Sequence, residues 1–146
     1  MCACATAAIM GSMPQLVSRK TDVISDVLNR NCMIISFTLA ATAEKRIYKH
    51  LDMGELERCL DETAKSSTRA IIVTDGVFSM RGDHAPLDRI MTLARSRDNA
   101  FAEGPIVLVR ASHGVGRPGR TGPGAGELPP SPPVDVPLAD RRNATR

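Results

Sequence analysis

The sequence predicts an α/β fold, a mostly parallel sheet covered by helices on both faces. Three observations carry that expectation. Continuous aliphatic and β-branched runs, TDVIS at 21–25, RAIIVT at 69–74 and PIVLV at 105–109, read as strands buried on both sides. Between them lie stretches whose apolar residues recur at helical spacing. The two kinds of segment alternate along the chain, as they do where parallel strands are joined by crossover helices.

Taken in order, residues 7–18 (AAIMGSMPQLVS) are apolar and helix-like, with Pro14 as a blemish. Thr21 to Ser25 form a short buried strand ending at Asp26. A second helix runs from Asn29 to about Ala41, and Arg46-Ile47-Tyr48 form a short strand. Asp52 followed by Glu55 has the signature of a helix start, with Asp as the cap. Met53, Leu56 and Leu60 continue at helical spacing, so a helix is expected over 53–66. The strand at 69–75 follows, and Gly76 and Gly82 punctuate the loop beyond it. Pro86 suits the first turn of a helix expected over 86–97, carrying Leu87, Ile90, Met91 and Ala94. The strand at 105–109 closes the pattern. Ligands of such sheets sit at the carboxyl ends of the strands. The informative places are therefore just after Ser25, Thr74 and Val109.

The chain has 146 residues, about one domain. Gly and Pro number 21, and 13 of them lie beyond His113, so the composition changes there. An ordinary globular part is expected to about His113, followed by a stretch unlikely to build a core. Residues 128–146, with five prolines and almost no apolar periodicity, are expected to be a disordered or extended tail. Phe37, Tyr48, Phe78 and Phe101 are the whole aromatic complement, which argues against a nucleic-acid binder that stacks bases. No apolar run approaches the roughly 18 residues of a membrane span. The opening MCACATAAIM lacks the charged start of a signal peptide, and a cytoplasmic location is expected. The net charge of +3 divides into +1 for residues 1–113 and +2 for the rest, so the body offers no basic face. Cys2, Cys4, Cys32 and Cys59 lack the paired spacing of zinc ligands, so no metal site is expected and the thiols read as reduced.

Several short patterns carry nothing. Gly114-Val115-Gly116-Arg117-Pro118-Gly119 matches a dinucleotide fingerprint, but that motif needs a helix opening on its glycines. Arg120-Thr121-Gly122-Pro123-Gly124 cannot propagate one. Ser79, His113 and Asp75 supply the types of a hydrolase triad, yet Ser79 sits in no Gly-x-Ser-x-Gly elbow. Arg81-Gly82-Asp83 and Asn143-Ala144-Thr145 are adhesion and glycosylation patterns without the matching compartment.

One longer string is more specific. Ile71 to Leu87 (IIVTDGVFSMRGDHAPL) resembles the α-oxoamine synthase family of pyridoxal-phosphate (PLP) enzymes, which share the aspartate-aminotransferase fold. Three further pieces are similar to that family and collinear with it. They are Ile24-Ser25-Asp26-Val27-Leu28-Asn29, the segment from Tyr48 to Glu57, and Ser112-His113-Gly114-Val115-Gly116 with Gly119-Arg120-Thr121-Gly122 after it. The wording looks most like the glycine C-acetyltransferase (2-amino-3-ketobutyrate CoA ligase) branch, with the 8-amino-7-oxononanoate synthase branch next. The resemblance implies part of the large domain of a fold type I PLP-dependent transferase, over residues 1–127. It implies condensation of a glycine-like amino acid with an acyl-CoA to an α-amino ketone, PLP as electron sink, and a homodimer for the intact enzyme. It also implies cofactor-binding roles for Ala5 and Thr6 at the phosphate, Ser79 at the cofactor and His113 near its phenolic oxygen. A helix N-terminus suits a phosphate on physical grounds as well.

Three positions depart from the family. Arg30 follows Asn29 where the family has a His stacked over the PLP ring; a guanidinium stacks but accepts no proton near neutral pH. Arg110 stands where the family pairs an Asp with the pyridine nitrogen, and a cation there opposes ring protonation. The family's Schiff-base Lys follows its histidine, whereas Lys65 is the last Lys of this chain. No catalytic residue is therefore assigned, and the chain alone is expected to be inactive. A catalytically dead remnant acting as a binding or structural subunit, and a generic nucleotide-binding module resting on the glycine loop, stay open beside the enzyme reading.

Overall fold

The computed structural model describes residues 5–39, 42, 44–78, 80–110 and 136–138. Helix α1 (Ala5–Leu16) leads into β1 (Thr21–Asp26), α2 (Asn31–Leu39), β2 (Lys45–Tyr48), α3 (Met53–Thr63) and β3 (Arg69–Asp75). A small hairpin of β4 (Val77–Phe78) and β5 (Asp83–His84) precedes α4 (Leu87–Ser96), a 3-10 turn (Asp98–Ala100), β6 (Ile106–Arg110) and β7 (Val136–Leu138). Five strands form one sheet in the order β2-β1-β3-β6-β7, with every pairing parallel. The three expected strands thus share one sheet with helices on both faces, and the α/β reading stands.

The continuous apolar runs are explained by what lies on each side. Along β1, β3 and β6, Val23, Ile71, Val73 and Leu108 face Ile9 and Met13 of α1 and Met33 and Phe37 of α2. Their alternates Ile24, Ala70, Ile72, Val107 and Val109 face Leu56 and Leu60 of α3 and Leu87, Ile90, Met91 and Ala94 of α4. A strand with a period of two and a core on both sides can hold no polar residue in its middle. Burial of each such aliphatic side chain contributes about 1.5–3 kcal/mol.

The helix expected over 53–66 is observed as Met53–Thr63, and its start is built as its residues suggest. The Asp52 side chain accepts the Glu55 amide at 3.0 Å. The Glu55 carboxylate reaches past the cap and accepts the Lys49 amide at 2.6 Å instead. Arg97, just after α4, binds Glu57 and Asp61 of α3 at 2.7 Å each and locks the two helices together.

Some boundaries differ from expectation. The first helix runs over Ala5–Leu16 with Pro14 inside it, and the second begins at Asn31 because Asn29 is used elsewhere. The last expected strand is shifted by one residue to Ile106–Arg110, since Arg110 pairs in register with Asp75. Within the stretch 128–146, Val136–Leu138 lies beside β6 as an edge strand. A β6 edge left bare would leave its backbone groups without partners, and an edge position tolerates Pro137. The hairpin β4–β5, with Gly82 at φ 77°, was read only as a punctuated loop. No helix among the described residues is long and apolar enough to cross a membrane.

Candidate functional site

The carboxyl ends of β1, β3 and β6 meet in one place. Asn29 organises it. Its side-chain amide donates to Ser25 Oγ and to the Val73 carbonyl, both at 2.8 Å, and its Oδ1 accepts the Asp75 amide at 3.1 Å. One buried side chain therefore fixes the end of β1 against the end of β3. Beside it Asp26 closes β1. Its carboxylate accepts the amides of Leu28 at 2.8 Å and Leu51 at 3.1 Å, and it faces His50 Nδ1 at 3.0 Å. Leu51 holds a left-handed φ of 57°, a strained backbone for a branched residue, and the bond from its amide to Asp26 helps to keep it there.

Asp75, at the end of β3, is buried and accepts Nη1 of Arg110 at 3.0 Å. Arg110 ends β6, and it too is buried; its Nε has no hydrogen-bond partner among the described residues. Asp75 also lines a cavity of about 170 Å3, together with Leu28, Arg30, Phe78, Met80 and Arg81. Its walls thus come from the loop after β1, the end of β3 and the hairpin. Its lining combines the apolar side chains of Leu28, Phe78 and Met80 with two arginines and the Asp75 carboxylate.

The expected site residues fall as follows. Arg30 and Arg110 both lie at this end of the sheet, Arg30 in the cavity wall and Arg110 paired to Asp75. Ala5 and Thr6 are the first two residues of α1. That helix packs on the sheet through Ile9 and Met13 and feeds β1 at the opposite end, so its start points toward the carboxyl ends. Ser79 and His113, and with them their expected convergence, lie outside the described residues. Sequence reasoning quoted Asn29, Asp26 and His50 within motifs without giving them a task. The signal was available: each is a polar residue at the end of a buried strand or just before a helix cap.

The family model for aminotransferase class I and II matches residues 1–102. The chain belongs to that family. Within it the α-oxoamine synthases are its relatives. It is 42% identical over 122 residues to an 8-amino-7-oxononanoate synthase of Citrifermentans bemidjiense, covering 84% of this chain and 29% of that protein. It is 41% identical over 118 residues to the mitochondrial 2-amino-3-ketobutyrate coenzyme A ligase of Bos taurus, covering 81% of this chain and 26% of that one. Among solved structures, a serine palmitoyltransferase of S. paucimobilis with a bound PLP-myriocin aldimine superposes with a TM-score of 0.84 at 23% identity, covering 97% of this chain and 35% of that chain. The chain thus spans less than a third of the length of these curated relatives.

Proposed function

We propose that this chain carries the cofactor-end portion of a PLP-dependent α-oxoamine synthase, an acyltransferase that joins a glycine-like amino acid to an acyl-CoA, and that by itself it does not perform the condensation. Residues up to about 127 would be the family portion, and those beyond a separate tail. The reading of the reaction class rests on family membership and on relatives that are named for such products. Ala5 and Thr6 at the start of α1 are the phosphate-side candidates, with Ser79 and His113 as further cofactor contacts carried over from the resemblance.

The observation behind the inactivity is the Arg110–Asp75 pair. PLP supplies an electron sink when its ring nitrogen is protonated, and a carboxylate facing that nitrogen favours the proton. Arg110 occupies the position that the resemblance gives to that carboxylate. A guanidinium only donates, so it opposes a proton there, and Asp75 is already engaged by it. This pair does not fit the cofactor in its reactive form.

The test is direct. The purified chain is given PLP, glycine and acetyl-CoA, and free thiol is followed. No release above the blank is expected; turnover near roughly one per second would overturn the reading. PLP absorbance before and after borohydride separates a cofactor-holding remnant from a purely structural one. A reduced adduct fixed to Lys20, Lys45, Lys49 or Lys65 would show that another lysine had taken over.

A further inference from the structure

His50 stands in the link between β2 and α3 and joins two carboxylates from distant parts of the chain. Its Nδ1 lies 3.0 Å from Oδ1 of Asp26, and its Nε2 lies 3.1 Å from Oδ2 of Asp83 on β5. The ring meets Phe78 of β4 edge-on, with centroids 4.5 Å apart. Both oxygens of Asp26 already accept backbone N–H groups, so toward His50 it presents an acceptor. Asp83 accepts Arg81 Nε at 2.7 Å on the same oxygen that faces His50. A ring with a carboxylate acceptor at each nitrogen must donate from both. Only the doubly protonated imidazole has two donors.

We propose that His50, as an imidazolium, is a proton-operated clasp that positions the β4–β5 hairpin and with it one wall of the cavity at the carboxyl end of the sheet. Phe78, Met80 and Arg81 of that wall all belong to the hairpin region. Loss of one proton turns a ring nitrogen into an acceptor facing an acceptor, and one link must break. The link to Asp83 is the one that opens. The Asp83 side chain is 34% exposed whereas that of Asp26 is fully buried, so water replaces the lost partner at Asp83 alone. The hairpin then keeps its own short ladder and the backbone bonds of Gly76 to Arg110 and of Ala85 to Gly76.

Among the described residues, the ring meets Asp26 from β1 and Asp83 from the hairpin, Asp83 in turn holds Arg81, and Tyr48 of β2 lies within the influence of Asp26. Lys49 and Glu55 sit beside the ring, already joined to each other through the Lys49 amide. The Asp83 carboxyl is held below its ordinary value by the hydrogen bond from His50 first and the one from Arg81 next, in line with the geometry. The inference uses only the clasp's own residues, so it stands apart from the proposed reaction.

The full chain is labelled for NMR. The His50 ring nitrogens and the amide exchange of Phe78, Arg81, Gly82, Asp83 and His84 are followed between about pH 5 and about pH 8. The ring is expected to be doubly protonated at the acid end. Hairpin exchange, corrected for its intrinsic pH dependence, should rise roughly tenfold with the midpoint of the ring. His50→Gln should bring the faster exchange already at low pH. Asp83→Asn, at a partly exposed site, should remove the step, because an amide accepts from the charged ring and donates to the neutral one. A single neutral tautomer throughout, hairpin exchange indifferent to the ring, or a step that survives Asp83→Asn would each overturn the clasp.

Discussion

Arg110 and Asp75 sit opposite each other in register at the ends of β6 and β3, and Arg110 Nη1 donates to Asp75 Oδ1 across 3.0 Å with both side chains buried. Removing either partner breaks a buried charge pair. Arg110→Ala and Asp75→Ala are each expected to lower stability by about 3–5 kcal/mol. The double variant should recover much of the second loss. Denaturant unfolding of the four proteins measures the coupling, and simple additivity would show that the two groups do not act as a pair.

Asn29→Ala is expected to cost about 1–3 kcal/mol, because it strips the Asp75 amide and the Val73 carbonyl of their partner in a place water does not reach. Asn29→Asp should do no better, since a carboxylate cannot donate to Ser25 and Val73. Amide exchange at Asp75 is the local readout, and it should accelerate in both variants.

Tyr48 is the chain's single tyrosine and there is no Trp, so phenolate absorbance reports it alone. Burial first, and the charge of Asp26 second, push its phenol well above the ordinary value near 10. The unfolded chain gives up that proton before the folded one does. Stability contributed by the neutral phenol is thus complete below about pH 10 and declines as pH rises beyond it. Alkaline titration should show the phenolate signal appearing together with loss of helical circular dichroism; ionisation in a chain that stays folded would contradict the burial.

The sheet should feel substitutions by face rather than by residue type. Ile72→Ala, in the middle of β3, is expected to cost about 2–5 kcal/mol. Ile47→Ser, on the edge strand β2 with its side chain mostly in water, should stay within about 0.5 kcal/mol. Thermal or urea unfolding of the two distinguishes them at once.

How much of this was legible beforehand divides along a physical line. RAIIVT and PIVLV announce themselves because burial on two faces leaves an unbroken apolar run. Asp52 and Glu55 announce a helix start because orphan amides need acceptors. The hairpin β4–β5 does not, because strands of two residues leave no period to read. Asn29, Asp26 and His50 were visible only as members of motifs. Their work is done on groups up to 46 positions away, and no local rule encodes such a distance. Arg110 was legible as a departure from a resemblance, but its partner Asp75 was not, since only the parallel register of β3 and β6 brings them face to face.

The strand order β2-β1-β3 has a consequence for how the chain comes together in time. β3 docks against β1, not against β2, the strand that precedes it. The sheet therefore cannot zip up from neighbouring segments, and closing β1 on β3 spans more than 40 residues of intervening chain. During synthesis β1 would gain β2 on one edge while its other edge waited, its backbone groups unpaired, for Arg69–Asp75 to leave the ribosome. Pulse-labelled exchange should find the β1 amides on the β3 side protected only once β3 is in place, whereas those that donate toward β2, such as Val23, gain protection with β2. For a nascent chain of this design the hazardous interval lies between the two strands, when a second unfinished copy offers the same edge.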